Sequence, residues 1–135
     1  MTGNDTDSTV YTVAYRDGRF LMVWNRKRGG WEMPGGHIKE GETVEQGAAR
    51  EFAEEAGYSI EILKTRDLGQ CFVCAALLGE RCSETPEMKV QMFDMIPDEL
   101  FFSHEEYDDV VPWAGKIVAE YSQQHYSKKR AKENE

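Results

Sequence analysis

The segment from Gly35 to Tyr58 constrains this chain more than any other, because it joins a glycine-rich loop directly to an amphipathic helix. Thr43 is of the type that caps a helix, and Gln46 stands three residues on, the spacing of a capping box. Gly57 suits the C-terminal stop, where a left-handed residue is common. Between them Val44, Ala48, Phe52 and Ala56 recur at every fourth position, so one stripe of the helix can bury itself in a core.

The same helix carries Glu51, Glu54 and Glu55 at i, i+3 and i+4. Side chains so spaced are neighbours, with Cβ atoms about 5–6 Å apart. Three carboxylates at that range repel one another, and a divalent cation reverses the sign of the interaction. Oxygen ligands of this kind suit Mg²⁺, or else Mn²⁺. Gly47, one turn before Glu51, is expected to leave that face open where a ligand approaches. A glutamate-rich helix face is more often simply solvated; the Gly-Gly loop feeding this helix, and Arg50 beside the first glutamate, set this one apart.

Gly36, Glu42, Arg50, Glu51, Phe52, Glu54, Glu55 and Gly57 fill the fixed spacings of the Nudix box, with Tyr58 where an aliphatic residue is more usual. The chain therefore resembles a Nudix hydrolase, and specifically a small MutT-like member. The resemblance implies an α/β fold in which a mixed sheet lies between α-helices (α/β/α), covering nearly all of the chain. It implies metal ligation by Glu54, Glu55 and the backbone carbonyl of Gly35, with Glu51 as ligand or water-activating base. Arg50 is similar to the family arginine that orients the neighbouring glutamate, so Arg50, Glu51 and Glu54 form the expected catalytic group. Glu42 is expected to fix the loop or to support the ligands from behind. His37 either touches a phosphate or stands by at the surface. Some members of the family take their base from a later loop, and Glu84, Glu87, Glu105 and Glu106 are the candidates here.

Length and composition agree with one domain over residues 1–135, with 1–8 and about 127–135 expected to be disordered tails. Aromatic residues make up 11% of the chain and hydrophobic residues 40%, enough for a proper core. There is no run of eighteen apolar residues, and the first nine are polar rather than signal-like, so a cytoplasmic protein with no membrane partner is expected. A net charge of −9 disfavours sequence-independent binding to a nucleic-acid backbone. It leaves a small nucleotide as the expected partner, with RNA 5′ ends as the exception. Three cysteines are an odd set; Cys71 and Cys74, with only Cys82 and three scattered histidines as further ligands, read as ordinary strand cysteines. Nothing in the sequence reports an oligomeric state.

In chain order, Thr9–Tyr15 and Phe20–Trp24 read as a hairpin turning at Asp17-Gly18. Residues 25–30 read as a basic, flexible loop. There Arg26, Lys27 and Arg28 are either a solvated turn or a clamp on the outer phosphates or leaving group. Trp31 reads as core in preference to a base-stacking platform. Further strands are expected over Ser59–Lys64, Leu68–Leu78 and Met88–Ile96, with Gly79–Glu87 and Pro97–Ser103 as connections. A last helix begins at His104 with a buried stripe of Val110, Ala114, Ile117, Val118 and Tyr121, and Pro112 is expected to break or restart it.

The box specifies the reaction and leaves open the group attached to the diphosphate. Family markers for ADP-ribose (a proline about fifteen residues after the box) and for dinucleoside polyphosphates (a tyrosine slightly further on) are missing from Val73–Ala76. The coenzyme A signature is not evident either. By resemblance the expected reaction is Mg²⁺-dependent hydrolysis of nucleoside triphosphates, oxidised ones included, to monophosphate and pyrophosphate. The alternatives are a 5′-triphosphate RNA pyrophosphohydrolase, an ADP-ribose or dinucleoside polyphosphate hydrolase, and a non-catalytic nucleotide-sensing module.

Overall fold

The computed structural model describes residues 8–133, with side chains as far as residue 125. Its elements are β1 (Thr9–Arg16), β2 (Arg19–Asn25), β3 (Gly30–Glu32), β4 (Gly35–His37), α1 (Val44–Ala56), β5 (Tyr58–Asp67), β6 (Phe72–Arg81), β7 (Lys89–Phe93) and α2 (His104–Glu133). Asp17 and Gly18 both take positive φ, 53° and 77°, as a two-residue hairpin turn between twisted strands requires.

The seven strands form one mixed sheet in the order β3-β2-β1-β6-β5, with β7 on the free side of β2 and β4 paired to β1. β1 and β2 pair only beside their turn, at Tyr15↔Phe20 and Arg16↔Arg19. Beyond it they splay. β3 then pairs with β2 through Val23↔Glu32, and β4 pairs with β1 through Tyr11↔Gly35 and Val10↔Gly36. The Thr12 N–H closes the wedge by donating to the Pro34 carbonyl at 3.1 Å. The double glycine is thereby built into the sheet.

Alternate residues along each central strand face opposite layers, because successive side chains of a strand point to opposite sides. Val13, Phe20, Met22, Val73 and Ala75 pack with Tyr107, Val110, Val111 and Ala114 of α2. Ala14, Leu21, Val23, Ala76 and Leu78 pack with Phe52 and Ala56 of α1, while Val10, Ile38 and Cys74 pack with Ala48. The sheet thus lies between the two helices, as expected of an α/β/α arrangement. Phe52 is fully buried, a contribution of about 1.5–3 kcal/mol for such a side chain.

Several expectations are corrected. The short strands β3 and β4 lie where the sequence reads as loop, since three residues are too few to display a period. The basic loop is a tight turn: Asn25 Oδ1 accepts the Lys27 and Arg28 N–H groups at 3.1 and 3.2 Å. β5 runs to Asp67 and β6 starts at Phe72, so Leu68–Cys71 is their turn, tied by Leu68 N–H to the Cys71 carbonyl at 2.8 Å. β6 also extends to Arg81, and β7 is shorter than the expected strand.

Pro112 does not break α2. Its missing donor orphans the carbonyl of Asp108, an exposed residue that water can reach. The α2 backbone also continues past Ser127 to Glu133, where fraying is expected; Lys, Arg, Ala and Glu there are strong helix formers. Of the expected N-terminal tail only Ser8 is among the described residues, and its carbonyl accepts the Ile38 N–H at 2.9 Å. Among the described residues no helix is long and apolar enough to cross a membrane.

Candidate active site

α1 starts as its sequence dictates. Thr43 Oγ1 accepts the Gln46 N–H at 3.1 Å and Gln46 Oε1 accepts the Thr43 N–H at 2.9 Å, a complete capping box. It ends at Gly57, whose φ of 76° is left-handed. With Ala48, Phe52 and Ala56 buried, the next strip round the helix turns Glu51 and Glu55 toward β4. Glu54 lies farther out, its side chain 42% exposed against 16% for Glu51.

Arg50 straps the incoming loop to this helix. Its Nε donates to Glu42 Oε2 at 2.7 Å, and its Nη2 donates to Glu42 Oε1 at 3.0 Å and to the His37 carbonyl at 2.9 Å. Nη1 reaches Glu54 Oε1 at 3.1 Å. Glu51, which Arg50 is expected to orient, stands at 3.7 Å, a looser ion pair. Glu42 also accepts the Lys39 N–H at 2.8 Å, so its place is in holding the loop. The bidentate guanidinium pulls the Glu42 carboxyl down to about 2 and raises the Arg50 pKa in turn.

The double glycine is a matter of space. A Cβ at Gly35 would overlap the Val10 carbonyl on β1, and one at Gly36 would overlap the Glu51 carboxylate. Gly47 has a different place from the one expected. A Cβ there would meet Ile38 Cγ1 at 3.3 Å and Glu42 Oε1 at 3.4 Å, so its bare face admits the loop, and no ligand space opens there.

Glu55 is the most buried carboxylate of the group, with 8% of its surface exposed. Its Oε1 accepts the Gly35 N–H at 3.0 Å. Burial drives its pKa up to about 8 despite that bond, and the charges of Glu51, Glu32 and Glu87 add to the rise. Burial likewise raises Glu51, with Arg50 opposing and Glu54 and Glu87 adding.

Glu87 is brought here by the loop before β7. Its N–H donates to the Glu54 carbonyl at 3.0 Å, and the Met88 N–H to the Glu55 carbonyl at 3.0 Å. These bonds use carbonyls that the end of α1 leaves free. Of the four later-loop glutamates, only Glu87 acts on the Glu51 and Glu55 carboxyls. Glu106 accepts Tyr11 Oη–H at 2.6 Å in the wall of the cleft. All four of these glutamates are exposed, Glu87 included.

A cleft of about 680 Å³ opens beside Gly35, Gly36, His37 and Glu55 and runs along Arg28, Glu32 and Tyr107. Arg28 lies in its wall with Nη1 bound to Glu32 Oε2 at 3.3 Å, while Arg26 and Lys27 are exposed on the turn. His37 is exposed. Trp31 packs edge-on against Trp24 and Phe93, with centroids at 5.3 and 4.9 Å, at the margin of the core.

The donor set fits a hard divalent cation. Glu51, Glu54 and Glu55 are oxygen ligands close on one helix, and a buried carboxyl raised to about 8 among like charges gains from a cation beside it. Among the described residues no group of three or more His, Cys, Asp or Glu side chains is arranged to hold an ion. Glu54 is held by Arg50, and Glu55 by the Gly35 amide.

A family model described as the NUDIX domain matches residues 5–121. A MutT-like protein of Streptomyces ambofaciens is 42% identical over 55 residues, which are 41% of this chain and 36% of that protein. The uncharacterized Nudix hydrolase YvcI of Bacillus subtilis is 31% identical over 99 residues, 62% of this chain and 63% of that protein. The match thus spans less than two thirds of either relative. A crystal structure of a NUDIX hydrolase from Nitrosomonas europaea superposes with a TM-score of 0.60 at 25% identity, covering 72% of this chain and 64% of that one.

Proposed function

The chain belongs to the Nudix hydrolase family, and from that premise we propose that it is a Mg²⁺-dependent pyrophosphohydrolase of nucleoside triphosphates, releasing monophosphate and pyrophosphate. Members of the family act on small nucleotides and use divalent cations. The observation that carries the reading is the meeting of three elements at one point. α1 supplies Glu51, Glu54 and Glu55, β4 supplies a double glycine with no room for side chains, and the loop before β7 supplies Glu87, with Glu55 and the double glycine lining an open cleft.

In this reading Glu51, Glu54, Glu55 and the Gly35 carbonyl would hold Mg²⁺. When bound, the cation masks the charge that makes phosphoanhydrides resist nucleophiles. The remaining work belongs to the chain. Gly35 and Gly36 let β4 lie close against β1 and the Glu51 carboxylate, which a Cβ at either position would push away. Arg50 holds the loop at the spacing this approach needs, through Glu42 and the His37 carbonyl. Glu87 takes the proton of the attacking water, from the loop whose amides bind the Glu54 and Glu55 carbonyls. His37, exposed on β4 in the cleft wall, meets the outer phosphates.

The test is a release assay with Mg²⁺ across canonical and oxidised nucleoside triphosphates, ADP-ribose, dinucleoside polyphosphates and triphosphorylated RNA. Pyrophosphate from one triphosphate far above the rest is the expected outcome. Activity confined to a diphosphodiester or to RNA would keep the site chemistry and overturn the substrate. No release from any of them would overturn the enzyme reading.

A further inference from the structure

Met33 and Pro34 link β3 to β4 and carry the chain into the double glycine. Three consecutive polar groups of this stretch are held by three different elements. The Met33 N–H donates to Tyr107 Oη of α2 at 3.0 Å, the Pro34 carbonyl accepts the Thr12 N–H of β1 at 3.1 Å, and the Gly35 N–H donates to Glu55 Oε1 of α1 at 3.0 Å. The first of these bonds joins residues 74 apart in the chain, and it comes from the helix on the opposite face of the sheet to the carboxylates.

Tyr107 is well placed to hold that amide. It is 3% exposed and Met33 4%, so water has no ready access to replace the hydroxyl. The ring packs in the core with Val13, Val73, Val110 and Ala114, and Tyr11 meets it edge-on, centroids 5.7 Å apart at 66°. Burial pushes the pKa of the hydroxyl up against the opposing effect of the Met33 bond, and Glu32 and Glu106 add to the rise. The group therefore stays a neutral hydroxyl. Packing alone does not call for it, since the neighbouring core positions are filled by apolar side chains.

The position of the held amide gives the bond its consequence. Pro34 has a fixed φ and confines the residue before it to extended backbone. The two-residue link is therefore stiff, and fixing Met33 fixes where Gly35 emerges. At the other end of β4, Arg50 Nη2 holds the His37 carbonyl at 2.9 Å. A strand of three residues is thus held at both ends, by α2 before the double glycine and by α1 after it.

We propose that Tyr107 is a positioning residue for the cation site: its hydroxyl sets the Met33 peptide and, through the stiff link, the placing of the double glycine against Glu55 and Glu51. This rests on the reading in which the Gly35 carbonyl and the α1 glutamates hold Mg²⁺. It gives the far layer of the molecule a part in that site.

The test is Mn²⁺ titration of the metal-free protein, followed by electron paramagnetic resonance, with thermal midpoints taken on the same samples. Tyr107→Phe removes one oxygen and keeps the ring. It should raise the Mn²⁺ Kd about tenfold, the range for groups that orient a ligand from behind. Two controls separate positioning from general loosening. Tyr11→Phe removes the hydroxyl of the neighbouring ring, which binds Glu106 rather than the link. Val110→Ala opens a cavity in the same core cluster and lowers the midpoint. Both should leave the Kd close to that of wild type. Should Tyr107→Phe not fold, amide exchange in wild type decides, and the Met33 amide should exchange as slowly as those of the central strands. An unchanged Kd in Tyr107→Phe, an equal loss in Val110→Ala, or a Met33 amide that exchanges freely overturns the positioning while leaving the cation reading intact. Absence of Mn²⁺ binding in wild type would defeat the cation reading and this proposal with it.

Discussion

Gly36 is set by what stands opposite it: a methyl group there would occupy the space of the Glu51 carboxylate. That carboxylate is the far end of a flexible side chain, so Gly36→Ala should displace Glu51 and leave β4 in place. Steady-state kinetics should show kcat down by about ten- to a hundredfold, the range for a misplaced catalytic group, with a thermal midpoint within a few degrees of wild type. A large drop in midpoint instead would mean that Gly36 serves folding. Glu54 differs in being half-exposed, with its side chain paired to Arg50 of its own helix. Glu54→Gln should keep the fold and lower turnover by orders of magnitude at saturating Mg²⁺; near-normal rates would remove Glu54 from the ligand set.

Two elements depend on α1 for their position, and each can be tested. The first is the loop from His37 to Glu42, held by Arg50. Arg50→Lys keeps the charge but cannot make the bidentate contact to Glu42 together with the bond to the His37 carbonyl. A stability loss of about 1–3 kcal/mol follows from the lost charge-assisted bonds, read by urea unfolding, with activity falling at least tenfold. The second is the segment before β7, whose amides take the free carbonyls of Glu54 and Glu55. Glu87→Gln should cut kcat at least tenfold and leave KM and the midpoint nearly unchanged, whereas Glu84→Gln, three residues earlier in the same loop, should change little. Equal effects at both positions would argue for bulk charge over a placed base.

At the scale of the whole molecule, the carboxylate cluster makes stability depend on pH and cation together. Glu55 has a folded-state pKa of about 8, above the value of about 4.3 for an unfolded glutamate. Its protonated form therefore stabilises the fold fully below pH ~4, and that contribution is lost as pH rises toward 8. Without metal, folding stability should fall across that window on the order of a few kcal/mol, read as a falling thermal midpoint. Glu55→Gln should flatten the slope. Mg²⁺ competes with the proton, so it should raise the midpoint more at pH 8 than at pH 6. A metal-free wild-type midpoint that is flat from pH 5 to 8 would show that Glu55 ionises as an ordinary carboxyl.

The sequence by itself determined α1, its caps, its buried stripe and the row of carboxylates, because a helix displays its neighbours at i+3 and i+4 within one local segment. It also determined the β1–β2 turn, which Asp17-Gly18 signals locally. It could not show β3 and β4, which at three residues have no period and exist because β1 and β2 splay apart. Nor could it choose among Glu84, Glu87, Glu105 and Glu106. The proposal of Glu87 rests on two hydrogen bonds between α1 and a loop more than thirty residues further along the chain, which no local pattern displays. The surroundings of Gly47 and Arg28 are likewise set by residues distant in the chain. Ile38 fills the space beside the first, and Glu32, Phe101 and Phe102 hold the second. The local chemistry was legible in the residues, and only the tertiary structure decided which of them meet.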